Sequence, residues 1–279
     1  MSLPKHSKDI IFDSNFFNSC FKDKTFLLGL ESVLFCIFKA MNKSLVIVFL
    51  FSLFIFSCKK EETVALAGID LGTAYYPTDM GKYVIYDVDS IIYTDFSKDT
   101  LVYKYRIKEK FTESYTDNLG LPAIRLERYI KKYNPTIPYD SLPWIMKEVW
   151  SVNSDQSNVQ VVESNFRFTK LTFPLQVNSS WNGNAFNSLG KQNYYYKYID
   201  QAETIGPMSI NTVLSVQQKE VRTLINYQNY IEKYAKGVGL VYKEITDIQS
   251  DTIVSNVPVE DRIEQGIIYK QTLFSYGSE

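Results

Sequence analysis

The chain has 279 residues, with 30 Lys+Arg against 31 Asp+Glu and a single histidine. So even a balance of charge gives no support to a nucleic-acid partner, which needs a basic face. The histidine, His6, and two of the three cysteines, Cys20 and Cys36, precede residue 58; the rest therefore lacks the groups for Ser-His-Asp or Cys-His catalysis, for zinc held by thiolate or imidazole, and for an internal disulfide.

In chain order, Met41-Asn42-Lys43-Ser44 carries one positive charge ahead of Leu45 to Phe56, a run that is apolar except for Ser52. A charged stretch, an apolar core of about 7–15 residues and a small residue at the cut describe a secretory signal peptide. The run falls short of the roughly 20 residues of a membrane-spanning helix. Residues 41–57 are therefore expected to be a signal peptide that starts at Met41. Residues 1–40 are expected to be an upstream extension or a start set too early; a genuine extension is the alternative, since Phe26 to Phe38 is also fairly apolar.

Ile55-Phe56-Ser57-Cys58 resembles a bacterial lipobox, in the relaxed form found in Bacteroidota lipoproteins; Phe56 is bulkier than the strict pattern. The resemblance implies that Cys58 is lipidated and becomes the first mature residue, and that the chain is an outer-membrane lipoprotein. Lys59-Lys60-Glu61-Glu62 resembles the short charged export signal of surface lipoproteins, which favours the cell surface over the periplasmic face. Two or more acyl chains anchor stably where one does not. Residues 58–74 then read as the lipidated cysteine and its tether, and residues 75–279 as a single β-rich domain.

Within that domain all 21 tyrosines follow Cys58, as suits strands. "KYVIYDVDSIIYTD" is rich in β-branched and aromatic residues. In the next segment Leu101, Tyr103, Tyr105, Ile107 and Phe111 alternate with Lys104, Arg106, Lys108 and Lys110, the period of a half-buried strand. "AIRLERYIKKY" is compatible with helix or strand, and its neighbours favour strand. "NPTIPYDSLPW" holds three prolines and is a loop. "IMKEVWSV" and "NVQVVESNFRFTKLTFPL" read as further strands, and "NSSWNGNAFNSLG" as a polar loop around Trp181. "NYYYKYI", "MSINTVLSVQQKEV", "NYIEKYAKGVGLVYKEITDI" and "GIIYKQTLFSY" complete the set. The expected fold is all-β: an antiparallel meander of about ten strands, with little helix, forming a curved sheet, half-barrel or sandwich. "KYAKGVGLVYKE" also resembles a short stretch of half-barrel proteins of the lipoprotein-carrier type, in which a curved sheet wraps an apolar groove.

Candidate sites are few. Trp181, Tyr194, Tyr196 and Tyr198, with Trp144 and Trp150, offer aromatic faces that stack on sugars or lipids and equally fill cores. Lys104, Arg106, Lys108 and Lys110 make a basic stripe, either a solvated outer face or a contact for anionic headgroups. Ser188-Leu189-Gly190-Lys191 matches S-x-x-K, but Gly190 and the absence of K-T-G argue against the serine-lysine enzymes. Gly237-Val238-Gly239 lacks a phosphate-loop continuation and reads as a turn. Asp-Ser/Thr-apolar triplets centred on Ser90, Thr100, Ser141 and Thr252 resemble the O-glycosylation acceptor of exported Bacteroidota proteins; Asp-Ser and Asp-Thr also form turns. Ser141, in the proline-rich loop, is expected to be the best acceptor and Ser90, inside an expected strand, the worst. No cofactor or metal is expected. The reading is a non-enzymatic binding or assembly module anchored through Cys58, with a glycan, lipid or protein partner. A lipid or lipoprotein carrier with an apolar groove and a carboxylate-based glycan hydrolase are the alternatives, separated from it by the shape of the concave face.

Overall fold

The computed structural model describes residues 70–95 and 99–279. Twelve antiparallel strands follow the chain: β1 (Lys82–Tyr93), β2 (Thr100–Thr116), β3 (Pro122–Lys132), β4 (Ile145–Ser154), β5 (Asn158–Glu163), β6 (Phe166–Thr172), β7 (Ser180–Asn182), β8 (Asn193–Ile205), β9 (Met208–Arg222), β10 (Asn226–Ala235), β11 (Gly239–Gln249) and β12 (Gln265–Ser278). Their order in the sheet is β6-β5-β4-β3-β2-β1-β12-β11-β10-β9-β8-β7, so β1 pairs with both β2 and β12. Helix among the described residues is confined to three 3-10 turns, at Thr73–Tyr75, Tyr139–Ser141 and Val259–Asp261. The expected all-β meander is therefore what forms, curled until its two edges nearly meet.

The seam between those edges is made mostly by side chains. The Thr169 N–H donates to the Gly183 carbonyl at 2.9 Å. Trp181 Nε1 donates to the Thr169 carbonyl at 2.8 Å. The Tyr196 hydroxyl accepts from the Thr172 N–H at 2.8 Å and donates to its carbonyl at 2.6 Å. These bonds cap the β6 edge, whose backbone groups would otherwise be open to pairing with another chain.

Strand alternation sets the inner face. Tyr86, Val88, Ile107, Leu126, Val152, Val159 and Val161 point inward and are buried. With Tyr75, Tyr194, Tyr196, Leu214, Val216 and Tyr234 they supply most of the apolar core. Each such side chain, fully buried, contributes roughly 1.5–3 kcal/mol of transfer free energy. The β8–β9 hairpin closes against this barrel. Its tip glycine, Gly206, has φ 56°, and a Cβ there would collide with the Leu273 carbonyl oxygen; only glycine fits both demands.

Three segments depart from the sequence reading. "NVQVVESNFRFTKLTFPL" contains a hairpin, because Ser164 and Asn165 adopt φ 48° and 69° and turn the chain between β5 and β6. The polar loop around Trp181 contains the three-residue strand β7. Residues 70–74, read as the end of the tether, belong to the fold: the Leu71 carbonyl accepts from the Leu175 N–H and the Ala74 carbonyl from the Gly237 N–H. This segment carries Tyr75, with no exposed surface, and Tyr76 into the barrel mouth. "AIRLERYIKKY" is the strand β3, and Gly237-Val238-Gly239 is the turn between β10 and β11, with φ 77° and 99° at its glycines.

Candidate functional site

The most unusual chemistry lies on the inner face. Position 109 continues the inward series of Ile107 and Phe111, but it is a glutamate. Register sets Glu109 opposite Arg128 on β3, and Arg128 opposite Glu148 on β4. Arg128 Nε donates to Glu109 at 2.8 Å, a second guanidinium nitrogen pairs with Glu148, and the guanidinium lies 3.7 Å from the Trp150 ring centroid. A second row crosses the other wall, where Glu232 on β10 faces Lys243 on β11 and Lys243 faces Gln271 on β12. Opposite charges directly across a ladder stabilise it.

Lys170 of β6 joins the two walls. Its Nζ lies 2.6 Å from Glu163 and 2.9 Å from Glu232. Lys243 approaches the same two carboxylates at 3.6 and 3.3 Å. The Tyr234 hydroxyl donates to Glu232 at 2.6 Å. Burial would raise the Glu163 and Glu232 carboxyls, but Lys170 and Lys243 outweigh it and hold both below the usual carboxylate range, Glu232 at about 2. Burial would likewise lower the Lys170 ammonium, and the two carboxylates instead hold it well above its usual value. For Arg128, Glu109 and Glu148 overcome burial in the same way. Glu163, Glu232, Lys170 and Arg128 are therefore charged near neutral pH.

Size limits what this cluster can do. The space enclosed with it is about 20 Å³ and is bordered by Tyr76, Trp150 and Gln271 as well as the charges. A second cavity of about 20 Å³ lies on the other side of Tyr76, against Tyr86 and Phe111. Each has room for about one water, far below the roughly 300 Å³ of a ligand pocket. The two inward carboxylates are clamped by lysines rather than open to a glycan, and the concave face has an ionic floor rather than an apolar one. The two spaces beside this cluster therefore have room for neither a glycan nor an acyl chain. Among the described residues, no group of three or more His, Cys, Asp or Glu could hold a metal ion, and no helix is long and apolar enough to cross a membrane.

The larger concavity is outside, at the barrel rim opposite the mouth entered by residues 70–81. The β9–β10 turn and the loop 250–264 enclose about 720 Å³, with Leu224, Ile253 and Val254 on its walls, exposed by 70%, 61% and 45%. Two arginines frame it. Arg222 pairs with Glu260 at 2.5 Å, and Arg262 donates to the Val257 carbonyl at 3.1 Å and to Ser250 Oγ at 2.9 Å.

The residues singled out in the sequence fall in separate places. Trp181 is half-buried in β7, its ring 4.6 Å from that of Tyr196. Tyr194 and Tyr196 are buried, and burial pushes each phenol up to about 12. Tyr198 is half-buried and bonds Glu203. Trp144 lies near Lys131 at 4.6 Å. In the basic stripe, Lys104 and Arg106 pair with Asp89 and Asp87, and Lys108 and Lys110 both pair with Glu279. β2 is an interior strand, so the stripe does not guard an edge. Ser90 is buried, whereas Thr100, Ser141 and Thr252 are exposed. Cys58 lies outside the described residues.

No family model matches the sequence, and no curated protein matches it. Two solved structures are similar. One is a protein from Bacteroides fragilis described as exported, with a YmcC-like fold; it shares 6% identity at a TM-score of 0.40 over 73% of this chain and 98% of that one. The other is described as a lipoprotein from Parabacteroides distasonis, with 8% identity at a TM-score of 0.31 over 73% and 98% of the two chains.

Proposed function

We propose that the chain is a lipoprotein held in the outer membrane through Cys58, with its domain on the cell-surface side, and that it serves as a non-enzymatic binding or assembly module. The observation that supports binding over catalysis or carriage is the filled interior: Tyr76, Lys170, Glu163, Glu232 and Lys243 occupy the place where a substrate or lipid would sit. Contact with a partner then falls to the outside. The rim groove of Leu224, Ile253 and Val254, about 720 Å³, has the apolar walls that suit the side chains of a protein partner. Exposure also favours Ser141 over Ser90 as an O-glycan acceptor.

Labelling cells with a fatty-acid analogue tests the anchor. Wild-type chain is expected to carry label and to fractionate with the outer membrane, and Cys58→Ala to lose both. Retention of label by Cys58→Ala would remove the lipoprotein reading. An intact mass equal to polypeptide plus lipid would remove the glycan.

A further inference from the structure

We infer that the interior holds a permanent ligand: one water molecule in the 20 Å³ cavity, joining Gln271 to the ion cluster. Gln271 is 1% exposed, and the Tyr269 hydroxyl donates to its Oε1 at 2.7 Å. In this orientation Nε2 is the free end of the amide. Nε2 is buried without an acceptor in the protein, although Gln271 borders the cavity. An orphaned buried amide donor costs roughly 1–3 kcal/mol, so native structures seldom leave one unfilled.

The neighbours are underused in a complementary way. Lys243, which faces Gln271 across the ladder, comes no nearer than 3.3 Å to any carboxylate, beyond the usual length of a charge-assisted bond. Glu163 Oε2 meets that same ammonium only at 3.6 Å. A water has two acceptor and two donor places. It accepts from Gln271 Nε2 and Lys243 Nζ and donates to Glu163 and Glu109, both of which line the cavity. The volume matches one water. A halide would also accept from the two donors, but it would stand among Glu109, Glu163 and Glu232 with only Lys170 and Lys243 as cations on the cavity wall. The balance favours the neutral ligand.

Crystals of the mature chain, grown with and without sodium bromide, test this. The expected result is one density peak within hydrogen-bond distance of Gln271 Nε2 and of a carboxylate, with no anomalous bromine signal. A dry cavity, or a bromine peak at that point, would overturn the proposal. Water-to-protein NMR cross-relaxation gives a second readout in solution. The wild-type Gln271 side-chain N–H signals are expected to show contact with a long-lived water, and absence of that contact in the folded wild type also counts against it. Gln271→Met, close in volume but lacking the donor, is expected to lose the peak in crystals.

Discussion

Among the described residues, Lys170 is the only cation within 3 Å of both Glu163 and Glu232. Replacing it with Met leaves two buried carboxylates with only the longer contacts of Lys243 as ion pairs, and the Tyr234 hydroxyl on Glu232. Breaking a buried pair by removing one partner typically costs about 3–5 kcal/mol. Lys170→Met is therefore expected to lower the stability read from the urea midpoint by about that amount, and an unchanged midpoint would show that the cluster is not buried as described. Acid should act on the same groups. A carboxyl held low in the folded state gives stability that is complete above its unfolded value, about 4.3, and that is lost as pH falls through the folded value. Glu163 and Glu232 are both held low. The midpoint is expected to be level near neutrality, to fall below about pH 4.5, and to fall less steeply in Glu232→Gln. These residues were partly legible in the sequence. Glu109 stands in phase with Ile107 and Phe111, and Glu232 in phase with Tyr234, so the inward series itself contained charges. Alternation was read as apolar inside and charged outside, and that rule hides an ionic core.

At the scale of elements, the seam is the weakest wall, because only the three residues of β7 and a few side chains close it. Trp181→Phe keeps a ring against Tyr196 but removes the bond to the Thr169 carbonyl, with an expected loss of about 1 kcal/mol. Trp181→Ala removes the ring as well, and about 3–5 kcal/mol is expected. In both, hydrogen exchange at the Thr169 amide should quicken more than exchange at the Ile107 amide in the centre of the sheet; equal quickening would mean that the seam is not a distinct unit. Most strands were legible from period two, β2 most clearly. β7 was not, since three residues in "NSSWNGN" carry no period. The β5–β6 turn was hidden because Ser164-Asn165 lacks the glycine that marks such turns. Trp181 was expected on a polar loop because its neighbours are polar; the contacts that hold it come from β6 and β8, more than ten residues away in the chain.

For the whole molecule, the nearly closed barrel has a filled interior, so the proposed binding falls to its outside. Period two says which residues share a face, but not that β1 meets β12 or that β6 meets β7. Closure was therefore beyond the sequence, and with it the choice between open groove and filled core. Thiol accessibility tests that choice most directly. Residues 59–279 contain no cysteine, so single cysteines can be placed at Val161, buried on the cavity wall, and at Ile253, exposed in the rim groove. Their rates of reaction with a maleimide are then compared without denaturant. With a filled interior, Ile253→Cys is expected to react like a free thiol and Val161→Cys slower by a factor on the order of 1000, through rare opening of the barrel. Comparable rates at the two positions in folded protein would mean that the interior is open, and would contradict a filled core.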